Sequence, residues 1–415
     1  MDDETRARHA LAIYTAAVKA ADPRALVRRA VSGLDAQRVT IAAVGKASIA
    51  MAEGALDALG ERVVASVVVT NEERLAAGLR VVRGDHPVPG AASFAAGDAL
   101  LALARSCGES DCFLALVSGG ASALAEVPRA GLTPDGVART HALLLASGAP
   151  IAELNVVRKH LSALKGGRLA RAARPGRVVT LALSDVIGGT LGDVGSGPTV
   201  PDPTTSVDAR VILARHGLLA AVPRAVRALL DEPESAIDPA AFAGDEATIL
   251  GDACIAAEAA ASAATALGYR ARVVTTTLVG EARDAAADVV RSAQAESGRE
   301  PVCLVFAGET TVAVRGSGRG GRAQTLALAA ALALERDVGI TIAALATDGV
   351  DGPTDAAGAI IDGRTAGRSR GAGVDPTAAL ANDDAYPALD AAGALVRTGP
   401  SGTNVNDLVL ALVTR

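Results

Sequence analysis

The sequence predicts an α/β protein of two domains. Its 415 residues are too many for one ordinary hydrophobic core. Short β-branched runs alternate with Ala/Leu-rich helical segments, a pattern typical of largely parallel sheets covered on both faces. A polar, proline-containing stretch at 229–247 is the best candidate for a linker. We therefore expect an N-terminal domain of residues 1–235 and a C-terminal domain of residues 236–415.

The strand-like and helix-like segments follow one another along the whole chain. The predicted strands are 39–44, 62–70, 112–118, 177–185, 271–278, 301–307, 310–316 and 339–347. The predicted helices between them include 46–59, 91–106, 154–172, 253–267, 281–296 and 321–335. Segments 301–307 and 310–316 lie so close together that an antiparallel hairpin is the alternative to a parallel arrangement.

Composition and charge exclude several classes of function. A formal net charge of -6 argues against a general nucleic-acid partner. No apolar run approaches the ~18–20 residues that span a bilayer, and the N-terminal segment lacks a signal-peptide apolar core. The four cysteines have no C-x-x-C spacing, which favours buried free thiols in a reducing compartment. We expect a cytoplasmic protein without a membrane or nucleic-acid partner.

Glycine-rich loops with polar residues follow most of the predicted strands. They read GKAS, SGGAS, SDVIGG and TDGVDGPTD, and the loop RGSGRGGR follows segment 310–316. In open parallel sheets, ligands bind at the carboxyl ends of the strands. So many polar strand exits predict a site shared by the two domains.

Basic residues stand where two of the predicted helices begin. Lys46 belongs to GKAS, and Arg319 and Arg322 belong to RGSGRGGR. A cation at a helix N-terminus opposes the helix dipole by roughly 0.3–1 kcal/mol, whereas an anion bound there reverses the sign. The planar fork of arginine also suits phosphate oxygens. Solvated side chains that point away from any ligand are the alternative for all three residues.

The glycines of RGSGRGGR also fit the dinucleotide pattern G-x-G-x-x-G, at residues 316, 318 and 321. That fingerprint requires an acidic residue about 20 positions later, at the end of the next strand. Glu335 is in range but lies inside or at the end of the predicted helix. The P-loop pattern G-x-x-x-x-G-K-[ST] does not occur in the sequence. We therefore favour a more highly charged phosphate ligand over a nicotinamide dinucleotide.

Aspartates at strand exits are the candidates for a metal ion. Asp185 ends the segment 177–185, and Asp348 and Asp351 follow the segment 339–347. Such carboxylates can hold Mg²⁺ together with phosphate oxygens, although helix capping and Asx-turns explain them equally well. Among the histidines, only His86 in GDHPVPG is a candidate for a site, and an ordinary loop histidine is the alternative.

Taken in order, these segments closely resemble the class II glycerate 2-kinases, whose C-terminal part is called the MOFRL domain. The matching motifs run nearly from end to end of the chain. They are VGKAS, GDHPVPG, LVSGGASAL, LNVVRKHLSALKGGRLA, SDVIGG, GSGPTVPDPTT, GETTVAVRGSGRGGR, TDGVDGPTDAAGA and TGPSGTNVNDL.

The resemblance implies transfer of phosphate from ATP, with Mg²⁺, to the 2-hydroxyl of D-glycerate, giving 2-phosphoglycerate. It implies a Rossmann-like, mostly parallel N-terminal domain and a MOFRL-type C-terminal domain with a mixed sheet. It matches Lys46 and Arg322 to the positions that the family uses most directly in catalysis, and it leaves a homodimer open. Asp185, from its place at a strand exit, is the third candidate for catalysis. The candidates for binding substrate or nucleotide are His86, Ser118, Gly119, Gly120, Ser122, Asn155, Arg158, Lys165, Ser196, Gly197, Thr199, Arg319, Gly320, Gly321, Gln324, Asn404 and Asn406. The candidates for the metal are Asp185, Asp193, Asp348 and Asp351.

The sequence departs from the family pattern at three places. Ala323 and Thr325 replace the amide and the carboxylate of the family's GRNQE, and Gly189–Thr190 stand where two acidic residues are common. TGPSG replaces TGPTG, which is a milder change. Two other functions therefore stay open: an NAD(P)H-dependent hydroxypyruvate reductase, a name that some relatives carry, and a diverged member that binds its ligands without turnover.

Overall fold

The protein is described by a computed structural model that covers residues 1–174, 176–232 and 237–414. The chain forms two compact units, one of Pro23–Leu250 and one of Met1–Asp22 together with Gly251–Arg415. The boundary expected between residues 235 and 236 lies outside the described residues. The structure differs from that division because the first helix packs with the C-terminal half of the chain.

The helices and strands are distributed over both units. The helices are α1 Asp3–Ala20, α2 Pro23–Val31, α3 Ser48–Leu59, α4 Ala91–Arg105, α5 Ala121–Leu124, α6 Pro134–Ala146, α7 Ile151–Leu161, α8 Arg168–Ala172, α9 Ser206–Arg215, α10 Arg224–Asp231, α11 Ala253–Ala266, α12 Ala282–Ala295, α13 Arg322–Ala333, α14 Thr365–Gly371, α15 Pro376–Ala381 and α16 Ala385–Ala391. The strands are β1 Arg38–Val44, β2 Val63–Thr70, β3 Val81–Arg83, β4 Asp111–Val117, β5 Arg177–Leu183, β6 Glu246–Gly251, β7 Arg270–Leu278, β8 Val302–Gly308, β9 Ile340–Ala346, β10 Gly358–Asp362, β11 Leu395–Val396 and β12 Asp407–Val413.

The sheet of the unit Pro23–Leu250 has the strand order β3-β2-β1-β4-β5-β6. Strands β1 to β5 pair in parallel, as the strand–helix alternation predicts. β1, β4 and β5 are buried almost throughout, because helices cover both faces of the sheet. The strand order reverses between β1 and β4, and the loops that follow these two strands therefore flank the position where such sheets bind ligands.

The sheet of the other unit is mixed, with the order β11-β10-β9-β12-β8-β7. β7 pairs with β8 in parallel, and the remaining neighbours are antiparallel. The last strand, β12, lies between β8 and β9. One face packs against α12 and α13, and the opposite face packs against α1 and α11. The mixed C-terminal sheet expected from the resemblance is confirmed.

Helix α1 belongs to this second unit because its apolar side packs against residues that follow much later in the chain. Ile13, Tyr14 and Ala17 are buried in one cluster with the alanines of α11 and the apolar residues of β8, β9 and β12. The Tyr14 hydroxyl donates to the Ala346 carbonyl over 2.8 Å. The buried Arg6 donates through Nε to Thr341 Oγ1 at 3.0 Å, which ties the helix to β9.

Two predicted elements differ from the structure. Residues 310–316 form no strand, so the strand predicted there is wrong, and with it the alternative of a hairpin with 301–307; β12 is the antiparallel neighbour of β8. The predicted helix 154–172 is broken into α7 and α8, because Gly166 and Gly167 adopt positive φ angles of 58° and 80° between them.

Two further expectations concern the cysteines and the membrane. Cys107, Cys112 and Cys303 are buried free thiols, as expected, whereas Cys254 is exposed. Across the described parts of the chain, the helices are each too short or too polar to traverse a bilayer.

Candidate active site

The loops after β1 and β4 are tied together by hydrogen bonds. The Lys46 N–H donates to the Gly119 carbonyl at 2.9 Å, and the Ala47 N–H donates to Ser118 Oγ at 3.1 Å. Gly45 has φ 134°, and a Cβ there would lie only 2.1 Å from Ser118 Oγ. The close approach of the two loops therefore requires glycine at position 45. Because these N–H groups already have partners, an anion at this loop would be held by the Lys46 side chain.

Lys46 and His86 flank the same glycine at this edge of the sheet. A Cβ on Gly120, whose φ is 84°, would lie 3.4 Å from both Lys46 Cγ and His86 Cδ2. The Lys46 side chain is exposed. Burial, and then the positive charges of Lys46 and Arg158, lower the pKa of His86. The positive charges that act on this edge make it favourable for an anionic ligand.

The carboxylate of Asp185 reaches the same loop from the end of β5. A Cβ on Gly119 would lie 2.1 Å from Asp185 Oδ2, so only glycine leaves room for this carboxylate. The structure thus brings together Lys46, His86, the Ser118–Gly120 loop and Asp185, which come from four separate motifs. Their gathering follows the rule that parallel strands present their carboxyl ends at one edge of a sheet.

A chain of hydroxyl and amide groups joins three of the predicted binding residues. Ser122 Oγ and Ser196 Oγ are 2.8 Å apart, and Ser196 Oγ donates to Asn155 Oδ1 at 3.0 Å. Asn155 Nδ2 faces the Asp193 carbonyl at 3.4 Å. Ser196 is fully buried and has φ 61° between two glycines. This chain orients the loop after β5 against α7.

Three other predicted binding residues use their polar groups within the fold. The Gly197 carbonyl accepts from the Gly167 N–H at 2.8 Å. Thr199 Oγ1 accepts from Thr180 Oγ1 at 2.8 Å. Lys165 is buried, and its Nζ donates to Glu126 Oε2 at 2.6 Å. These contacts favour a role in supporting the loops over direct ligand contact.

In the second unit, Arg322 is the first residue of α13 and is held by two carboxylates. Its Nε donates to Asp407 Oδ2 at 2.6 Å, its Nη2 donates to Asp407 Oδ1 at 3.0 Å, and its Nη1 donates to Glu309 Oε1. Asn406 Nδ2 donates to the other oxygen of Glu309 at 3.0 Å. Burial opposes the charged form of Arg322, but the neighbouring carboxylates outweigh it and raise its pKa.

Asp407 and Glu309 were not among the predicted site residues. Glu309 stands in the GETTV motif, and Asp407 directly follows Asn406 in the C-terminal motif. An acidic residue at the first position of a buried apolar run, as in DLVLALV, is a signal that could have identified Asp407, since buried charges are usually paired.

The glycines of the RGSGRGGR loop make room for a turn of the same unit. A Cβ on Gly316 would lie 2.2 Å from the Asn382 carbonyl, and one on Gly318 would lie 2.4 Å from Asp384 Cβ. The N–H groups of Arg315 and Gly316 donate to Asp383 Oδ2 at 2.6 and 2.7 Å. The N–H of Arg319 donates to Asp384 Oδ1 at 2.7 Å. The backbone N–H groups of this loop therefore donate to acidic side chains of the turn and not to a pyrophosphate.

The start of α13 is capped by Asp351. Its Oδ1 accepts from the Ala323 N–H at 3.2 Å and its Oδ2 accepts from the Gln324 N–H at 2.8 Å. Burial raises the pKa of Asp351 to about 6, against the effect of these two N–H groups. A Cβ on Gly321 would collide with this carboxylate, at 2.2 Å. The expected phosphate at this helix start therefore meets donors that are already occupied.

The remaining predicted residues of this unit lie around the same loop. Arg319 stacks on Tyr386, with its Cζ 4.3 Å from the ring centroid. Gln324 is fully buried, and its Nε2 donates to Thr354 Oγ1 at 2.8 Å. Asn404 Oδ1 accepts from the Asn406 N–H at 3.2 Å. Thr325, one of the departures from the family pattern, donates through its hydroxyl to the Gly321 carbonyl at 2.8 Å.

A cleft of about 460 Å³ opens beside this loop, and Gly320, Arg322, Thr325 and Asp348 are among its lining residues. Three of the five N–H donors of Arg322 are used by Asp407 and Glu309, which leaves two for a ligand. Asp348 uses Oδ1 to accept from the Val350 N–H at 3.0 Å. The cleft is thus lined by the guanidinium of Arg322, whose orientation its carboxylate partners fix, and by the carboxylate of Asp348.

The four predicted metal ligands lie in different surroundings. Asp351 spends both oxygens on α13, and Asp193 Oδ2 accepts from both the N–H and the hydroxyl of Thr190. Asp185 lies against Gly119 at the edge of the parallel sheet, and Asp348 lines the cleft of the other unit. Within the described residues, no group of three or more His, Cys, Asp or Glu side chains is arranged to hold a metal ion.

Comparisons with known proteins agree with the arrangement of the motifs. Residues 9–231 match the family described as "Domain of unknown function (DUF4147)", and residues 302–407 match the MOFRL family. The D-glycerate 2-kinase of Thermotoga maritima is 39% identical over 99% of each chain. A protein of Agrobacterium vitis that carries the provisional name hydroxypyruvate reductase is 40% identical, over 97% of this chain and 93% of its own. The crystal structure of a glycerate kinase from Thermotoga maritima superposes with a TM-score of 0.93 at 38% identity, over 99% of this chain and 100% of that chain.

Proposed function

The chain belongs to the glycerate kinase family, and from this we propose that it catalyses ATP-dependent phosphorylation of the 2-hydroxyl of D-glycerate, giving 2-phosphoglycerate. The observation that carries the proposal is the position of Lys46 and His86 on either side of Gly120, where the strand order of the parallel sheet reverses. Such a position binds ligands in open α/β sheets, and its positive charge suits a carboxylate or a phosphate.

Phosphoryl transfer passes through a loose transition state, so positioning and charge stabilisation contribute more than a strong base. Lys46 acts as a mobile point charge on the phosphoryl group that is transferred. Its exposed side chain is free to follow that group during the reaction, since no ion pair within the described residues holds it. Its attraction for the three equatorial oxygens grows as charge develops on them.

Arg322 acts as a cation that its carboxylate partners hold in a fixed direction. Asp407 binds one edge of the guanidinium and Glu309 binds Nη1, so the side chain loses little conformational entropy when a phosphate arrives. The two remaining N–H donors bind phosphate oxygens from the cleft.

We propose Mg²⁺ as the cofactor, delivered with ATP, and Asp185 and Asp348 are each a candidate ligand within its own unit. When it is bound, Mg²⁺ neutralises charge on the phosphate oxygens of the nucleotide. Mg²⁺ that is bound to phosphate oxygens needs only one or two protein carboxylates, so no closed cage of protein ligands is required.

Release of ADP, measured by a coupled assay with a panel of small hydroxy acids, tests this function. We expect turnover with D-glycerate that depends on ATP and Mg²⁺, with L-glycerate and lactate as much poorer acceptors. Nucleotide binding without ADP release would instead establish a diverged, non-catalytic member.

The reductase alternative is tested with NADH or NADPH and hydroxypyruvate. We expect no oxidation of the nicotinamide, because the N–H groups of the glycine-rich loop at Arg315, Gly316 and Arg319 already bind Asp383 and Asp384. Oxidation of NADH with hydroxypyruvate, without ADP release from ATP and glycerate, would contradict the kinase proposal.

A further inference from the structure

The segment from α7 to α8 carries four buried or half-buried lysine and arginine residues, and three of them have partners. Lys159 Nζ lies 3.4 Å from Asp202 Oδ1, and Lys165 Nζ lies 2.6 Å from Glu126 Oε2. Arg168 donates through Nη1 to the carbonyl oxygens of Lys159 and Lys165, at 3.0 and 3.1 Å. This is the usual condition of a buried cation, because an unpaired buried charge is costly.

The fourth residue, Arg158, is different. It is 7% exposed, and its Nε is buried without a hydrogen-bond partner. Within the described ranges 1–174, 176–232 and 237–414, its guanidinium forms no ion pair or hydrogen bond with another residue. Its planar group carries five donors and stays charged at any physiological pH. The free protein therefore maintains a buried cation at a cost that the fold does not offset locally.

The side chains around Arg158 add positive charge and supply little negative charge. Glu126 is already bound to Lys165. His141 is fully buried, and among the described residues neither of its ring nitrogens has a hydrogen-bond partner; burial, followed by the charges of Lys165 and Arg158, lowers its pKa. Burial and then the charges of Lys46 and Arg158 lower the pKa of His86 in the same way. The surroundings of Arg158 are therefore electropositive, and this positive region extends to the candidate site beside Gly120.

One turn before Arg158 on the same helix, Asn155 is held by Ser196, and this contact fixes the orientation of α7. A cation on a rigid helix, buried and without a partner, is arranged for a ligand anion with two oxygens in one plane.

We infer that Arg158 binds the carboxylate of the hydroxy-acid substrate through its guanidinium fork, and that this contact restricts the enzyme to 2-hydroxy carboxylates. The inference rests on the proposed function and deepens it. Arg158 takes the carboxylate and leaves Lys46 for the phosphoryl group. A site built to pair a buried charge rejects the neutral analogue strongly, because the charge is then left unpaired.

The test compares D-glycerate with D-glyceramide, which keeps the 2-hydroxyl but has a neutral amide. For the unaltered enzyme we expect kcat/KM to be at least about 100-fold higher for the acid. In Arg158→Met, kcat/KM for the acid should fall about 100-fold while the value for the amide changes less than about threefold, and the KM for ATP should be unchanged.

The melting temperature supplies a second readout that does not depend on turnover. Arg158→Met should melt at or above the temperature of the unaltered protein, because an unpaired buried charge is replaced by an apolar side chain of similar length. D-glycerate alone should raise the Tm of the unaltered protein but not that of Arg158→Met, and D-glyceramide should raise neither.

Lys159→Met is the matched control, since it removes the neighbouring buried cation, which is paired with Asp202. It should lower the Tm and keep the preference for the acid. Arg158→Gln should lose that preference as Arg158→Met does. A preference of tenfold or more for the acid in both Arg158 variants, or a loss of Tm in Arg158→Met as large as in Lys159→Met, would overturn the inference. If ADP release fails in the unaltered protein, the proposed function fails, and the shift of Tm with D-glycerate still decides the role of Arg158.

Discussion

The carboxylate of Asp407 holds the guanidinium of Arg322 through two parallel hydrogen bonds of 2.6 and 3.0 Å. Asp407 is the first residue of β12, and Arg322 is the first residue of α13. The pair therefore connects the middle of the mixed sheet to the start of the helix that packs on it. Lysine has no planar fork and cannot make both bonds.

The first prediction follows from this geometry. Arg322→Lys should lower kcat at least about tenfold, equivalent to roughly 1.4 kcal/mol of transition-state stabilisation. It should also lower the Tm, because the buried Asp407 carboxylate keeps only one of its two hydrogen bonds to residue 322. The helix dipole alone predicts no loss of stability, because lysine keeps the positive charge at the helix start, so a lowered Tm would come from the ion pair with Asp407.

Steady-state kinetics beside thermal melts measure both effects of Arg322→Lys. Arg291→Lys is the control, since Arg291 is exposed on α12 and pairs only with Asp288 three residues away. Unchanged kcat and KM in Arg322→Lys, with a lowered Tm, would mean that Arg322 serves the fold alone.

The second prediction concerns Lys46, whose side chain is exposed and for which we propose an electrostatic role. Lys46→Ala should reduce kcat more than Arg322→Lys does, and it should leave the Tm within about 1 °C, because a solvated side chain is removed. Lys19→Ala removes an equally exposed lysine from the end of α1 and should change neither quantity. Equal activity of the two alanine variants would show that Lys46 is an ordinary surface residue.

The third prediction distinguishes the aspartates that we propose as metal ligands. Asp185→Asn and Asp348→Asn should each raise the Mg²⁺ concentration for half-maximal activity about tenfold or more. Asp193→Asn should leave that concentration unchanged, since Asp193 binds Thr190 within its own loop. Titration of activity with Mg²⁺ at saturating ATP measures all three. The same half-maximal concentration in the Asp185, Asp348 and Asp193 variants would contradict the assignment.

The fourth prediction concerns stability and pH. Burial raises the pKa of Asp351 from the usual range of aspartate to about 6, so the folded state binds this proton more tightly than the unfolded state does. The stabilisation is complete below the unfolded pKa of about 4 and is lost as the pH rises through about 6, on the order of 3 kcal/mol in total.

Thermal melts of the unaltered protein and of Asp351→Asn between pH 4 and pH 7 measure this pH-dependent stabilisation. The variant should be destabilised most at pH 4, and the difference between the two proteins should shrink as the pH rises to 7. Carboxylates with lowered pKa, such as Asp383, titrate equally in both proteins and cancel in the difference. A constant difference over this pH range would show that Asp351 is ionised throughout.

The parallel sheet could be predicted from the sequence because each of its inner strands has a recognisable local sequence pattern. β1, β4 and β5 are short runs buried on both faces, and a polar glycine-rich loop follows each one. The meeting of Lys46, His86 and Asp185 then follows from topology alone, since parallel strands end at one edge.

The mixed sheet could be predicted only in part, because its neighbours are distant along the chain. Segment 310–316 alternates like a strand, yet Asp383 binds its backbone N–H groups and holds it as a loop. β12 pairs with β8 and β9, which precede it by many residues, and no local pattern encodes that insertion. For the same reason the pairing of Arg322 with Asp407 was not visible in the sequence.

The packing of α1 with the C-terminal half of the chain has a consequence for synthesis on the ribosome. The unit Pro23–Leu250 is contiguous, so it can fold as soon as its own residues have emerged. Helix α1 emerges first, but the carbonyl of Ala346 that Tyr14 binds is made 332 residues later. At about 5–20 residues per second, α1 waits roughly 20–60 s with its apolar side uncovered. While those residues are synthesised, the nascent chain exposes an amphipathic helix to chaperones.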